Sequence, residues 1–439
     1  MSIGFFRIYL NIYEFSIIIY LSILEKSEDN RHNQYCIIDV AVNEDQLMSG
    51  QAILNNVRIL DFGWVLAGPY ATRMLADFGA EVIKVQPPFS QGQDKFSLGY
   101  FNNWNRNKLG VSLNLQKPQG IEIAKKLVSI SDVVLENFSP RVMENWRLDY
   151  PELKKIKPDI IFLSMSTMGH SGHWKDFSGF GPTVQAFSGI TNLTTYPDQP
   201  PLGLGYSYAN HIAALYACLS LLGALEFRYK TGEGQYIDLS QTETMVSLLS
   251  DSILDYTQKS HQVKPVGNCL DLSAPCGVFR CLGEDKWCAI SISSDEEWQG
   301  FKSALGNPLW CDDERFSSHA KRLDNIEALN ISVQEWTQHH SDQDVMTSLQ
   351  QKGVPAGKVQ NVDDLANDSQ LKARKFLIQL DHPELGIKMT DTSPIHLSNN
   401  PAAYKKASPI DGQDNSYVYH ELLGFSRDEI DKLLKDKVI

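Results

Sequence analysis

Positive charge is scarce in this 439-residue chain: 40 Lys and Arg stand against 53 Asp and Glu, a formal net charge of −13. Nucleic acid or an anionic membrane as main partner needs concentrated Lys and Arg, so the balance argues against both. A local basic pocket for a phosphorylated ligand stays open. Cysteine is sparse too. The seven (Cys36, Cys218, Cys269, Cys276, Cys281, Cys288, Cys311) are odd in number and include no CxxC pair. That speaks against a disulfide framework or zinc ribbon and for a reducing, cytoplasmic setting. The familiar catalytic signatures are missing as well. There is no GxGxxG and no GxxxxGK[ST], which disfavours nicotinamide and P-loop nucleotide sites, and no GxSxG nucleophile elbow. The close histidine pairs, His170 with His173 and His339 with His340, lack further ligands to complete a set of four, so no metal is expected. Cys276 and Cys288 have no identifiable base and read as packing residues rather than thiol nucleophiles.

What the chain does have is an ordinary globular composition, 42% hydrophobic and 21% charged, over a length that suits two or three domains. Residues 1–50 stand apart. GFFRIYLNIYEFSIIIYLSIL is apolar but interrupted by Arg7, Asn11 and Glu14, and its unbroken part, Phe15 to Leu24, is about half a membrane span. No small-residue cleavage site follows. An atypical extension ahead of a functional start near Met48 is the expectation, with a weak anchor as the alternative.

From Val57 onward, apolar strands alternate with helical sequence. Strands are expected at Val57–Phe62, Glu81–Val85, Val111–Leu115, Asp132–Leu135 and Asp159–Met165, and helices at Tyr70–Phe78, Pro118–Ser129 and around Pro151–Ile156. The alternation predicts an α/β fold: an open, mostly parallel, Rossmann-like sheet with helices on both faces. A ligand would lie beyond the carboxyl ends of the strands, where Gly63–Pro69 and Glu136–Pro140 emerge. Residues 51–256 make the first part of this large domain and 257–273 a linker. A smaller α+β domain occupies 274–384, opening with a hairpin of Gly277–Leu282 and Lys286–Ile292. Residues 385–439 return to the large domain. Ser294 with Glu297, and Ser426 with Glu429, read as capping boxes.

The stretch from Gly205 to Ser240 is central. Ile212 to Phe227 is almost uncharged, closed by Thr231-Gly232-Glu233-Gly234, and too often interrupted by Ala, Gly and Ser for a membrane span. It predicts a buried core helix. Asn210 stands immediately before it. An amide there can cap the first N–H groups, and anything bound nearby meets the positive end of the helix dipole. A plain N-cap is one reading of Asn210 and a functional position is the other.

Several short segments together carry a resemblance. Val57–Phe62 (VRILDF), Ala67–Tyr70 (AGPY), Leu75–Val85 (LADFGAEVIKV), Asn105–Lys108 (NRNK), Glu136–Phe138 (ENF), Gly181–Thr183 (GPT), Ala186–Gly189 (AFSG) and Lys230–Gln235 (KTGEGQ) occur in the order and spacing of the class III CoA-transferases, the CaiB/BaiF family. Ala274–Cys281 and Gly353–Lys358 extend the likeness towards the C-terminus. The loop Trp64–Pro69 and the segment Phe180–Thr183 resemble the branch containing benzylsuccinate CoA-transferase, where subunits of two kinds occur. The resemblance implies an open α/β large domain that binds CoA, an inserted smaller domain, and an interlocked dimer. It also implies an acyl-CoA thioester as substrate, a free carboxylic acid as acceptor, and no metal. In that family an Asp carboxylate takes the acyl group from the thioester, CoA thiolate attacks the resulting anhydride, and the acceptor acid leaves with CoA.

Carried over residue by residue, the resemblance assigns Leu66 and Ala67 to the first loop that cradles CoA. Lys108, Leu113 and Asn114 fall in the segment lining the adenine end. Asn137, Phe138 and Ser139 fall in the loop holding the pantetheine arm, and Ser178, Gly179, Phe180 and Gly181 in the loop facing the reaction centre. The family's nucleophilic Asp falls at Asn210, whose amide is uncharged and a poor nucleophile. Cys276, Asp414 and Asn145 also depart from the family's usual residues. Phe180 takes the place where the family's racemases carry His, which disfavours racemisation by an Asp/His pair. Two readings follow. In one, the chain moves CoA between an acyl-CoA, such as succinyl-CoA, and a free acid by itself. In the other it is a silent CoA-binding subunit paired with a paralogue.

Overall fold

A computed structural model describes residues 8–13, 16–21, 36–38, 52–88, 95–260, 263–268 and 272–439. Six strands form one sheet: β1 (Arg58–Asp61), β2 (Glu81–Gln86), β3 (Leu109–Ser112), β4 (Val133–Glu136), β5 (Ile161–Ser164) and β6 (Tyr236–Asp238). Every pairing is parallel and the order is β3-β2-β1-β4-β5-β6. That is a doubly wound sheet, and the chain reverses direction across it between β1 and β4. The alternating residues of each strand serve opposite faces. Leu60, Ile83, Val134 and Phe162 pack on one side with α2 (Pro118–Ser129), Tyr419 and Ile439. Ile59, Val82, Val133 and Ile161 pack on the other with α1 (Ala67–Asp77) and the long helix Tyr208–Thr231. Both faces are covered by apolar residues.

The five expected strands of the large domain are present, each within a few residues. The sixth, Tyr236–Asp238, is too short and too polar to stand out from its neighbours. α1 begins at Ala67, inside the expected loop, so that loop shortens to Phe62–Leu66. α3 (Gly181–Phe187), with Pro182 in its first turn, was not expected as a helix. α4 (Tyr208–Thr231) runs four residues beyond each end of the expected helix. Its N-cap is Ser207, so Asn210 is the third helical residue and the N-cap reading is corrected. Nor is α4 a fully buried core helix. Ala209, Ala213, Ala217, Leu221 and Ala224 are buried, but Leu215 is 51% and Leu219 69% exposed. It is the one described helix long and apolar enough to cross a membrane. Its alanine side packs towards the sheet and α1. α5 (Gln241–Val246) follows β6, its N-cap Ser240 accepting from the Glu243 N–H.

The smaller unit has an antiparallel sheet of Cys276–Arg280, Trp287–Ser291 and Ala356–Lys358 over a core of Phe279, Ile290, Trp298, Phe301, Leu329 and Leu349. Leu377–His382 and Gly386–Asp391 pair as a hairpin, so the expected boundary at 384/385 falls within its turn. Near the N-terminus, Ile8–Tyr13, Ser16–Leu21 and Cys36–Ile38 form an antiparallel sheet, which places part of the apolar Phe15–Leu24 run in a strand. Met48 and the rest of the extension lie outside the described residues.

Candidate functional site

The loop after β1 (Phe62–Leu66) and the loop after β4 (Asn137–Pro140) meet at the carboxyl ends of the sheet, where the strand order reverses. Asn137 ties them together. Its Oδ1 accepts from the Trp64 N–H at 2.7 Å and its Nδ2 donates to the Trp64 carbonyl at 3.0 Å. The approach needs glycine: a Cβ on Gly68 would lie 2.9 Å from Leu135 Cδ2 and 3.2 Å from Asn137 Oδ1. Val65 is held at φ 60°, a left-handed conformation costly for a β-branched residue and typical of ligand-binding turns.

A buried charge cluster supports this floor. Asp61 Oδ1 accepts from the Gly63 N–H at 2.8 Å, and Oδ2 accepts from Thr72 Oγ1 at 2.6 Å and Lys108 Nζ at 2.9 Å. Lys84 Nζ stands 3.4 Å from Asp61 Oδ1 and donates to the Gly63 carbonyl. Burial would raise the Asp61 carboxyl, but Lys108 and Lys84 outweigh it and hold it at about 2. Burial pulls both lysines down, against the opposing pull of Asp61.

Above the cluster lies a cavity of about 430 Å³, bounded by the first loop, the end of β2 through Pro87, the turn Leu113–Gln116, Phe138 and Trp146. Phe138 and Trp146 meet edge to face with ring centres 5.5 Å apart. Gln86 Oε1, in the wall, is buried and has no hydrogen-bond partner, while its Nε2 donates to Asp411. The turn is pinned from behind, since the Asn114 N–H donates to the Val438 carbonyl at 2.8 Å and Asn114 Oδ1 accepts from the Gln116 N–H at 3.0 Å. The Phe138 N–H donates to Glu136 Oε2 at 2.7 Å. Glu136 is almost wholly buried, and burial pushes its carboxyl up to about 7 despite that bond and one from Ser164.

Asn210 forms a second centre, bridged to the first by Phe180, whose ring meets Trp64 edge to face at 6.3 Å. Asn210 Nδ2 donates to Gln241 Oε1 at 3.3 Å, and Gln241 Nε2 donates to the Met165 carbonyl at 2.8 Å. The start of α3 packs directly on it, since a Cβ on Gly181 would sit 2.6 Å from Asn210 Oδ1. Asp198, ahead of α4, and Glu243, on α5, are both exposed. Among the described residues no carboxylate hydrogen-bonds Asn210. The neighbouring His211 is committed at both nitrogens. Nδ1 lies 2.8 Å from the Ser207 carbonyl, which can only accept, so Nε2 accepts from the Tyr206 hydroxyl at 2.9 Å.

Of the residues expected from sequence, Leu113, Asn114 and Phe138 line the cavity. Asn137 ties two loops, and Ser139 Oγ lies 3.1 Å from Ser178 Oγ, tying the second loop to the segment before α3. Gly179 accepts from Thr167 through its carbonyl, and Phe180 and Gly181 reach towards Asn210. Leu66 and Ala67 are buried at the start of α1, beneath the cavity. Lys108 stands apart from these. Its ammonium is spent inside the core on Asp61, Asn105 and the Pro69 carbonyl, and it is not in the cavity wall. Asp414, counted among the departures, accepts from the Gly110 N–H at 2.7 Å and so serves the edge of β3. Lys84, Gln86, Gln116, Trp146 and Gln241 were not singled out. Gln86 and Pro87, which directly follow the predicted strand Glu81–Val85, could have been found by the rule that ligands lie at carboxyl ends. Gln241, far from Asn210 in sequence, gave no such signal.

Residues 54–415 match the sequence profile of CoA-transferase family III. The chain belongs to that family. It is 33% identical over 395 residues to a succinyl-CoA–D-citramalate CoA-transferase from Chloroflexus aurantiacus, covering 88% of this chain and 98% of that one. It is also 30% identical to each subunit of succinyl-CoA–L-malate CoA-transferase from the same organism. The alpha subunit match covers 89% of this chain and 88% of that one, and the beta match 88% and 98%. A crystal structure of a CaiB/BaiF family protein from Brucella suis agrees with a TM-score of 0.78 at 29% identity, covering 85% of this chain and all of that one. Membership in CoA-transferase family III implies an acyl-CoA substrate. The relatives are named for succinyl-CoA, and they do not single out the benzylsuccinate branch.

Proposed function

We propose that this chain holds a CoA thioester in the cavity beside Asn137 and Phe138 and works as one subunit of a transferase that moves CoA from succinyl-CoA to a small carboxylic acid. On this reading the acyl group is taken up by a carboxylate on a paralogous partner chain. In such a transfer an ionised carboxylate attacks the thioester carbonyl, the C–S bond breaks, CoA leaves as thiolate and a mixed anhydride remains. Asn210 carries this reading. An amide has no charge to bring to the attack, and its neighbours are Gln241 and Gly181 rather than an acid.

The walls suit the carrier. The aromatic faces of Phe138 and Trp146 and the unspent acceptor Gln86 Oε1 match the face and amino edge of an adenine. The exposed apolar side of α4 supports a partner chain, because a monomer rarely leaves such a continuous face in water. The relatives that occur as alpha and beta subunits support a partner of the same family. A second reading, transfer by this chain alone, draws on the relative named succinyl-CoA–D-citramalate CoA-transferase, a name that carries no subunit designation.

The test is a CoA-transfer assay with succinyl-CoA as donor and citramalate, malate or glutarate as acceptor. The purified chain is assayed alone and together with a paralogue carrying Asp at the position of Asn210, while CoA binding is followed by calorimetry. The expected result is CoA binding by the chain alone and transfer only with the paralogue. Full turnover by the chain alone would favour the second reading, and failure to bind CoA would reject both.

A further inference from the structure

Gln241 opens α5, is only 6% exposed, and has both ends of its amide committed. The Met165 carbonyl can only accept, so the 2.8 Å contact must be made by Gln241 Nε2. That leaves Oε1 facing α4, where it needs a donor. Asn210 Nδ2 supplies it at 3.3 Å. The opposite atom of Asn210, Oδ1, is packed against Gly181, so the side chain has little room to turn. A carboxylate at 210 would bring oxygen against oxygen on the Gln241 side, with only a retained proton to relieve it.

We infer that Gln241 is a positioning residue that selects a hydrogen-bond donor at position 210. Resting on the reading proposed above, this makes the chain's inability to store an acyl group a property of two residues rather than one. Asn210→Asp alone keeps its proton to donate to Gln241 Oε1, and a protonated carboxyl is no nucleophile. The titratable and charged groups around this end of α4 are Tyr70 and Arg73 on α1, Asp391, Tyr206 and Tyr208, His211, and Glu243 on α5. Tyr206 and His211 are bonded to each other, Arg73 is paired with Asp391, Glu243 is exposed, and among the described residues none of these groups hydrogen-bonds Asn210.

A double-mutant cycle in the full chain tests this: wild type, N210D, Q241M and N210D/Q241M, each unfolded by denaturant at about pH 4 and about pH 8. An acid whose folded pKa is raised contributes most below its unfolded pKa and loses that contribution as pH rises through the folded value. N210D is expected to lose at least about tenfold in its folding equilibrium between the two pH values, relative to wild type. Q241M is expected to cancel most of that loss. Q241L replaces Q241M if the latter does not fold. A purely structural role for Gln241 would cost the same at both pH values, and a coupling independent of pH would overturn the inference. Intact-mass analysis after succinyl-CoA separates the two claims. An acyl adduct larger in N210D/Q241M than in N210D extends the inference to reactivity. A pH-dependent cycle without any adduct upholds Gln241's role and counts against acyl chemistry at 210.

Discussion

Asp61 and Glu136 end neighbouring parallel strands, are equally buried, and are driven in opposite directions by what surrounds them. Asp61 has two lysines within reach and stays ionised. Asp61→Asn would leave Lys84 and Lys108 without a counter-charge, and the expected loss is about 3–5 kcal/mol by denaturant unfolding. Among the described residues Glu136 has no Lys or Arg partner, and His170, with Nε2 3.7 Å from Glu136 Oε1, is itself pulled down by burial, so burial dominates and the Glu136 carboxyl rises from 4.5 to about 7. Between those values the folded chain holds a proton that the unfolded chain has released, so stability falls as pH rises through that window. The shift is equivalent to about 3 kcal/mol. Glu136→Gln, which keeps an acceptor for the Phe138 N–H, is expected to flatten stability across the same window in unfolding titrations. The residue types at these positions were readable in sequence, but their opposite charge states were not. Of the lysines that fix Asp61, Lys84 lies on β2 and Lys108 just ahead of β3, and only the sheet brings them together.

At the scale of elements, the site depends on loops held by a few side chains. Asn137→Ala removes both bonds between the two switch-point loops and is expected to weaken CoA binding about tenfold by calorimetry, with little change in unfolding midpoint. α4 shows what periodicity could and could not say. Ala, Leu and Tyr surround the helix almost evenly, so the sequence announced a helix but not which side was covered. Packing on the sheet takes the alanine side, since small residues let α4 approach β5 and α1. The other side, with Leu215 and Leu219, faces outward. Leu219→Lys is expected to leave the circular dichroism spectrum intact and, in a mixture with the paralogous partner, lower the apparent mass in sedimentation velocity. An unchanged mass would mean that this face is not where a second chain docks.

Taken whole, the molecule is a doubly wound sheet whose edge and cavity are completed by residues hundreds of positions away. The strands and their alternation were legible because parallel strands buried on both faces read as short apolar runs. The position of the cavity was legible in part, from the rule that ligands gather where strands end. The tail's role was hidden. Asp414 bonds the edge of β3, and Val438 bonds the turn at Asn114 across a separation that no local pattern encodes. The Asn210–Gln241 bond was hidden for the same reason, though Asn210 itself stood out once the motif around it was recognised. The most direct measurement is intact-mass spectrometry of the wild-type chain after incubation with succinyl-CoA, at a concentration where calorimetry shows CoA bound. The predicted result is an unmodified mass. An acyl or CoA adduct that maps to this chain would contradict the account.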